Sequence, residues 1–114
     1  MQLAAQKHQL RARFNMIVKV HKRSGKALVA VCDTDLIGKK FEEGELQLDL
    51  TSNFYAGEEV DEKAAGDLIR NAYMVNLVGK NAVKLGVDKG IIEESHIGKI
   101  AGIPHAQAVI EQEN

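Results

Sequence analysis

Two short runs of alternating residues around a Ser-Gly pair constrain this chain more than any other feature. Residues 16 to 22, MIVKVHK, put Val18 and Val20 on one side and Lys19 and His21 on the other. Residues 27 to 32, ALVAVC, resume an apolar pattern after RSGK. Alternation with a period of two marks a half-buried strand, and a tight turn at Ser24 and Gly25 joins the runs as a hairpin. That turn fixes the register: Val20 faces Val29, Val18 faces Val31, His21 faces Leu28, Lys19 faces Ala30 and Ile17 faces Cys32. The valine face is core. The other face is mixed, as expected of a sheet with one covered and one partly open side.

The hairpin needs further elements to cover it. DTDLIGKKFEEG reads as a turn or very short helix opened by Asp33, Thr34 and Asp35 and punctuated by Gly38 and Gly44. ELQLDL, residues 45 to 50, alternates and predicts a third strand with Leu46, Leu48 and Leu50 inward. TSNFYAGEE is a loop, with Phe54 and Tyr55 packing over the core edge. Asp61 is placed to cap a helix in which Ala64, Ala65, Leu68, Ile69 and Ala72 recur at helical spacing. The pattern predicts that this helix runs to about Val78, that Gly79 interrupts it, and that a second helix, KNAVKLGVDK, ends at Gly90 in a left-handed cap. Ile97 and Ile100 are expected core contacts. HAQAVIEQ is the last strand, opened by Pro104 because proline lacks a backbone donor and suits a strand start. Ala106, Ala108 and Ile110 then face the core, and His105 and Gln107 face away. The predicted fold is α+β: a single domain in which the N-terminal hairpin and further strands form a mainly antiparallel sheet packed by two consecutive helices.

The chain's 114 residues suffice for one such domain, expected over residues 16 to 114. Residues 1 to 15 stand apart as a basic extension, an arm or an amphipathic helix carrying Leu3, Leu10 and Phe14 among Gln, Lys and Arg. The lone Cys32 cannot form an internal bridge, which with the absence of a long apolar run points to a cytoplasmic protein without a membrane partner. Net charge is only -1, but the sign is segregated. Residues 1 to 40 hold nine Lys or Arg against two Asp, and the remainder holds six basic and fourteen acidic residues. Such asymmetry marks a basic face for a polyanion, unless folding intermixes the halves and cancels the field.

Several stretches together carry a family resemblance: KVHKRSGKALVAVCD, LIGKKFEEGELQLDL, FYAGE, NLVGKNAVKLGVDKGII and, most specific, KIAGIPHAQAV. Through them the chain resembles a family of small archaeal proteins, the domain-of-unknown-function family numbered 424, over about residues 16 to 110. The resemblance implies a compact α+β fold in an archaeal cytoplasm and an association with translation, through ribosomal RNA or a translation factor. It implies no catalytic residue, and it does not extend to the segment before Met16.

Lys19, His21, Lys22, Arg23 and Lys26 cluster on the hairpin, where alternate side chains and the turn can meet successive phosphates. The same cluster also reads as a solvated hairpin tip. No aromatic residue lies on the hairpin, so an RNA contact is expected to follow backbone shape rather than bases. His21, His105 and Gln107 form a candidate polar pocket if the last strand lies beside the first hairpin; the alternative for His105 is a structural anchor at the strand start. His21, His96, His105, Cys32 and Asp33 include zinc-ligand types, but no tight ligand spacing joins them, and no metal or cofactor is expected. Asp33 beside Cys32 raises the thiol pKa rather than activating it. A non-enzymatic binding module is therefore the leading expectation, and a small enzyme or ligand- or metal-binding protein using His21 and His105 is the alternative.

Overall fold

The computed structural model describes residues 15–110; the basic extension over residues 1 to 15 thus falls, but for its last residue, outside the described residues. Strands β1 (Asn15–Arg23) and β2 (Lys26–Asp33) form the hairpin, in the register read from sequence, with Val20 opposite Val29 and Ile17 opposite Cys32. Ser24 and Gly25 take positive φ values of 54° and 77°. That is the type I′ turn, whose twist matches the strands it joins.

Four further strands complete the sheet: β5 (Glu58–Asp61), β6 (Met74–Val78), β7 (Gly98–Ile100) and β8 (Ile103–Val109). The order is β5-β1-β2-β6-β8-β7, with β2 and β6 parallel at the centre and every other pairing antiparallel. Strands β3 (Lys40–Glu43) and β4 (Leu46–Asp49) form a separate two-stranded ribbon. Helices α1 (Glu62–Arg70) and α2 (Lys80–Asp88) share one face of the sheet. There Ala65 and Ile69 of α1 and Ala82, Val83 and Leu85 of α2 pack on Met16, Val18, Val29, Val31, Val75, Leu77 and Ala106. Small Ala106 and Ala108 let the helical layer approach β8 closely. Ala108 and Ile110 join Ala106 on that face, as the alternation predicts.

Three expectations are corrected. The first helix stops at Arg70, capped at its start by Asp61, whose Oδ1 accepts from the Ala64 amide at 2.9 Å. Residues 74 to 78 instead form the central strand β6. Met-Val-Asn-Leu-Val, with Val75, Leu77 and Val78 buried and Met74 and Asn76 part-buried, is too short for helix and strand periods to be told apart. A strand therefore separates the two helices. The ELQLDL strand is real, but it pairs with β3 in the ribbon: Leu50 is buried whereas Leu46 is 57% exposed. Strands β3, β5 and β7, at four, four and three residues, are too short for alternation to reveal. Pro104 is the second residue of β8 and not its first.

The second face of the sheet is half covered. Leu36, Ile37, Phe41, Leu48 and Tyr55 pack there on Cys32, Leu50 and Val78, closing the end that carries the cross-strand row Ile17, Cys32, Val78, His105. The other end carries the row His21, Leu28, Met74, Val109 and stays open.

Candidate functional site

At that open end the hairpin tip forms one wall of a groove of about 610 Å³. His21, Lys22, Arg23, Ser24 and Lys26 come from β1, the turn and β2; Leu28 and Met74, neighbours across β2 and β6, form the floor, and Ala27, Phe54 and Tyr73 complete the lining. A groove of this volume falls in the range of small-ligand sites.

Two aromatic residues reach the groove from distant parts of the chain. A 3-10 turn (Asn53–Tyr55), capped by Ser52 Oγ accepting from the Phe54 amide at 3.3 Å, presents Phe54. Its ring stacks on His21 with centroids 4.6 Å apart and planes 15° from parallel. Tyr55 braces it edge-on at 5.0 Å, and burial pushes the Tyr55 phenol up to about 12. His21 Nε2 lies 3.0 Å from the Phe54 carbonyl. A carbonyl only accepts, so Nε2 carries the proton and Nδ1 is an acceptor in the neutral ring. Tyr73 follows α1; its amide donates to the Ala27 carbonyl at 2.8 Å, and Lys26 Nζ sits 4.5 Å above its ring centroid.

Four of the five basic-cluster residues thus line one recess. Lys19 does not: its Nζ donates to the Ala56 carbonyl at 3.4 Å, and it lines a second groove with Val18, Val20 and Leu68, where β5 diverges from β1. The acidic run Glu42, Glu43 and Glu45 lies on the ribbon, at the end of the sheet opposite the basic turn, where Glu43 Oε1 accepts from the Ala101 amide at 2.6 Å. Folding therefore preserves part of the charge segregation instead of cancelling it.

The histidine pocket is not assembled. Strands β2 and β6 lie between β1 and β8, and His105 is in register with Ile17 rather than His21. Three strand spacings and a four-residue offset separate His21 from His105 by roughly 20 Å. His105 packs over its cross-strand neighbour Gly98, Gln107 is exposed beside Asn76, and His96 is exposed on a 3-10 turn. Among the described residues no group of three or more His, Cys, Asp or Glu could hold a metal ion.

Cys32 is buried, and its thiol donates to the Asp33 carbonyl at 3.3 Å. Burial first, then the charges of Asp33 and Asp35, push its pKa up to about 12, which removes it as a nucleophile at neutral pH. Asp33 ends β2 beside the start of α2, the position where an open α/β sheet commonly binds phosphate. Here that position is filled from within: Asp33 Oδ2 accepts from the Asn81 amide at 2.9 Å and Oδ1 from the Ala82 amide at 2.7 Å. Gly79 has φ 110°, and a Cβ there would come within 2.3 Å of Asp33 Cγ, so only glycine admits the carboxylate.

Sequence reasoning missed Phe54 and Tyr73 as groove residues. Tyr73 was hidden inside the overlong helix; recognising MVNLV as a strand would have placed it at a strand start near the hairpin tip. For Phe54 the sequence carries no such signal, because its approach to His21 depends on where the loop folds.

Together, fold and groove define a two-layer α+β domain with one helix-covered sheet face and a cationic, aromatic-lined recess at the hairpin-tip end of the sheet. The chain belongs to the DUF424 family of proteins of unknown function, whose model matches residues 21–110. It is similar to the crystal structure of an uncharacterized conserved protein from Methanopyrus kandleri, with 26% sequence identity and a TM-score of 0.75 over 88% of this chain and 96% of that one. No curated protein matches the chain. Among the described residues, no helix is long and apolar enough to cross a membrane.

Proposed function

We propose that this protein is a non-enzymatic cytoplasmic binding module that docks on ribosomal RNA through the hairpin groove. The observation that carries this reading is the convergence of Lys22, Arg23 and Lys26 with His21 on one recess. Among the described residues the ion pairs are Lys40 with Glu42, Lys63 with Asp67 and Lys84 with Asp88, so no described carboxylate neutralises the three groove cations. A polyanion would do so and release its counterions.

The test is equilibrium binding to purified archaeal ribosomal subunits and to ribosomal RNA fragments at 50 and 200 mM salt. Three phosphate contacts at about 0.7 to 0.9 counterions each predict a log–log slope between about −2 and −3, a loss of roughly 20- to 40-fold over that range. Lys22→Glu with Arg23→Glu should flatten the slope and weaken binding while leaving the unfolding transition in place. No binding at either salt concentration would refute the proposal, and salt-insensitive capture of a translation factor in place of RNA would reassign the groove to a protein partner.

A further inference from the structure

We infer that the groove receives an unpaired nucleotide of the RNA, its base entering between the His21–Phe54 stack and Tyr73 while Lys22, Arg23 and Lys26 hold the flanking phosphates. This rests on the RNA-binding reading above and specifies the RNA it selects. Contact with a duplex backbone calls for cations on a surface; it does not call for a recess with an apolar floor of Leu28 and Met74. Such a floor would stay wet beneath a duplex, whereas a base would cover it.

The groove, at about 610 Å³, is large enough to take one nucleotide base. The rings are braced before a ligand arrives, Phe54 by His21 and Tyr55. Lys26 covers the Tyr73 ring in the free protein; a base that takes its place on the ring frees the ammonium for a phosphate. An attraction between an ammonium and an exposed ring is weak enough to be exchanged in this way. Bases inside a duplex are stacked and paired, so the recess selects bulges, loops and ends, where bases are free to splay onto aromatic rings.

The test uses three RNA hairpins with equal numbers of phosphates: one with a single adenosine bulge, one with an abasic residue at the bulge, and one fully paired. The bulged RNA is also made with 2-aminopurine at the bulge, whose fluorescence is quenched by stacking. The expected result is that the abasic and paired hairpins bind about tenfold or more weakly than the bulged one, in line with the strength of base–aromatic stacking, at an unchanged salt slope. The 2-aminopurine signal should be quenched on binding, and Phe54→Leu and Tyr73→Leu should each lose the quench while keeping the salt slope. Equal affinity for all three hairpins, with a salt slope still dependent on Lys22 and Arg23, overturns the base pocket and leaves backbone docking standing. Failure of all three to bind at low salt overturns both.

Discussion

Replacing Asp33 with alanine should destabilise the domain by about 2 to 3 kcal/mol. The carboxylate is 5% exposed and accepts from two amides at the first turn of α2. Without it, the buried Ala82 amide loses its acceptor, at about 1 to 3 kcal/mol for an unsatisfied buried group. The part-buried Asn81 amide adds about 1 kcal/mol or less, because water reaches it. The positive end of the α2 dipole loses a facing charge, typically worth about 0.3 to 1 kcal/mol. Relief of the carboxylate's own desolvation offsets some of this, since burial holds its pKa above the ordinary range while the two amides pull it partly back. Urea denaturation followed by circular dichroism is the assay, with the m-value as a check that both proteins unfold alike. An Asp33→Ala variant within about 0.5 kcal/mol of the parent, the usual spread for an inconsequential surface substitution, would refute the capping role. A pH series adds an independent sign. With its folded-state pKa raised, Asp33 holds a proton more tightly in the native chain than in the unfolded one. The part of its contribution that depends on protonation is therefore present at low pH and lost as pH rises through the interval between the two values. Asp33→Asn cannot titrate, so the stability difference between parent and variant should shrink as pH rises through that interval.

Cys32, with its thiol pushed up to about 12, should resist a disulfide reagent at pH 8 in the native protein and release one equivalent once denatured; rapid native labelling would contradict its placement. Ala108→Leu should destabilise the fold by roughly 1 to 3 kcal/mol by overpacking the helix-covered face, measured by thermal unfolding. Truncating His105 to alanine, which removes the ring packed over Gly98, should have a smaller effect in the same measurement.

What could be read from the sequence follows from how local each determinant is. The β1–β2 register, the Asp61 cap and the inward set Ala106, Ala108 and Ile110 were legible because alternation, capping and turn chemistry act over a few residues. The end of α1 was not, since Tyr73 and Met74 join the sheet through a partner, Ala27 and Leu28, far away in sequence. The basic cluster was legible as a cluster, but its recess was not, because two of its walls are Phe54 and Tyr73. The histidine pocket failed for a single reason: it assumed that β8 lies beside β1, and strand order is decided by which crossovers the helices permit.

The central parallel pairing also divides the chain in time. The β1–β2 hairpin closes across Ser24 and Gly25 alone, a microsecond event for an isolated hairpin. The β2–β6 pair brings Cys32 beside Val78, so β3, β4, β5 and α1 all lie inside the loop it closes, and that loop's entropy must be met before the pairing returns any contact energy. Tyr73 and Met74 reach the groove only with β6. During refolding or synthesis, therefore, the cationic hairpin is on display before the recess beside it exists, and the recess gains its Tyr73 and Met74 lining only at the final docking of the sheet's two halves.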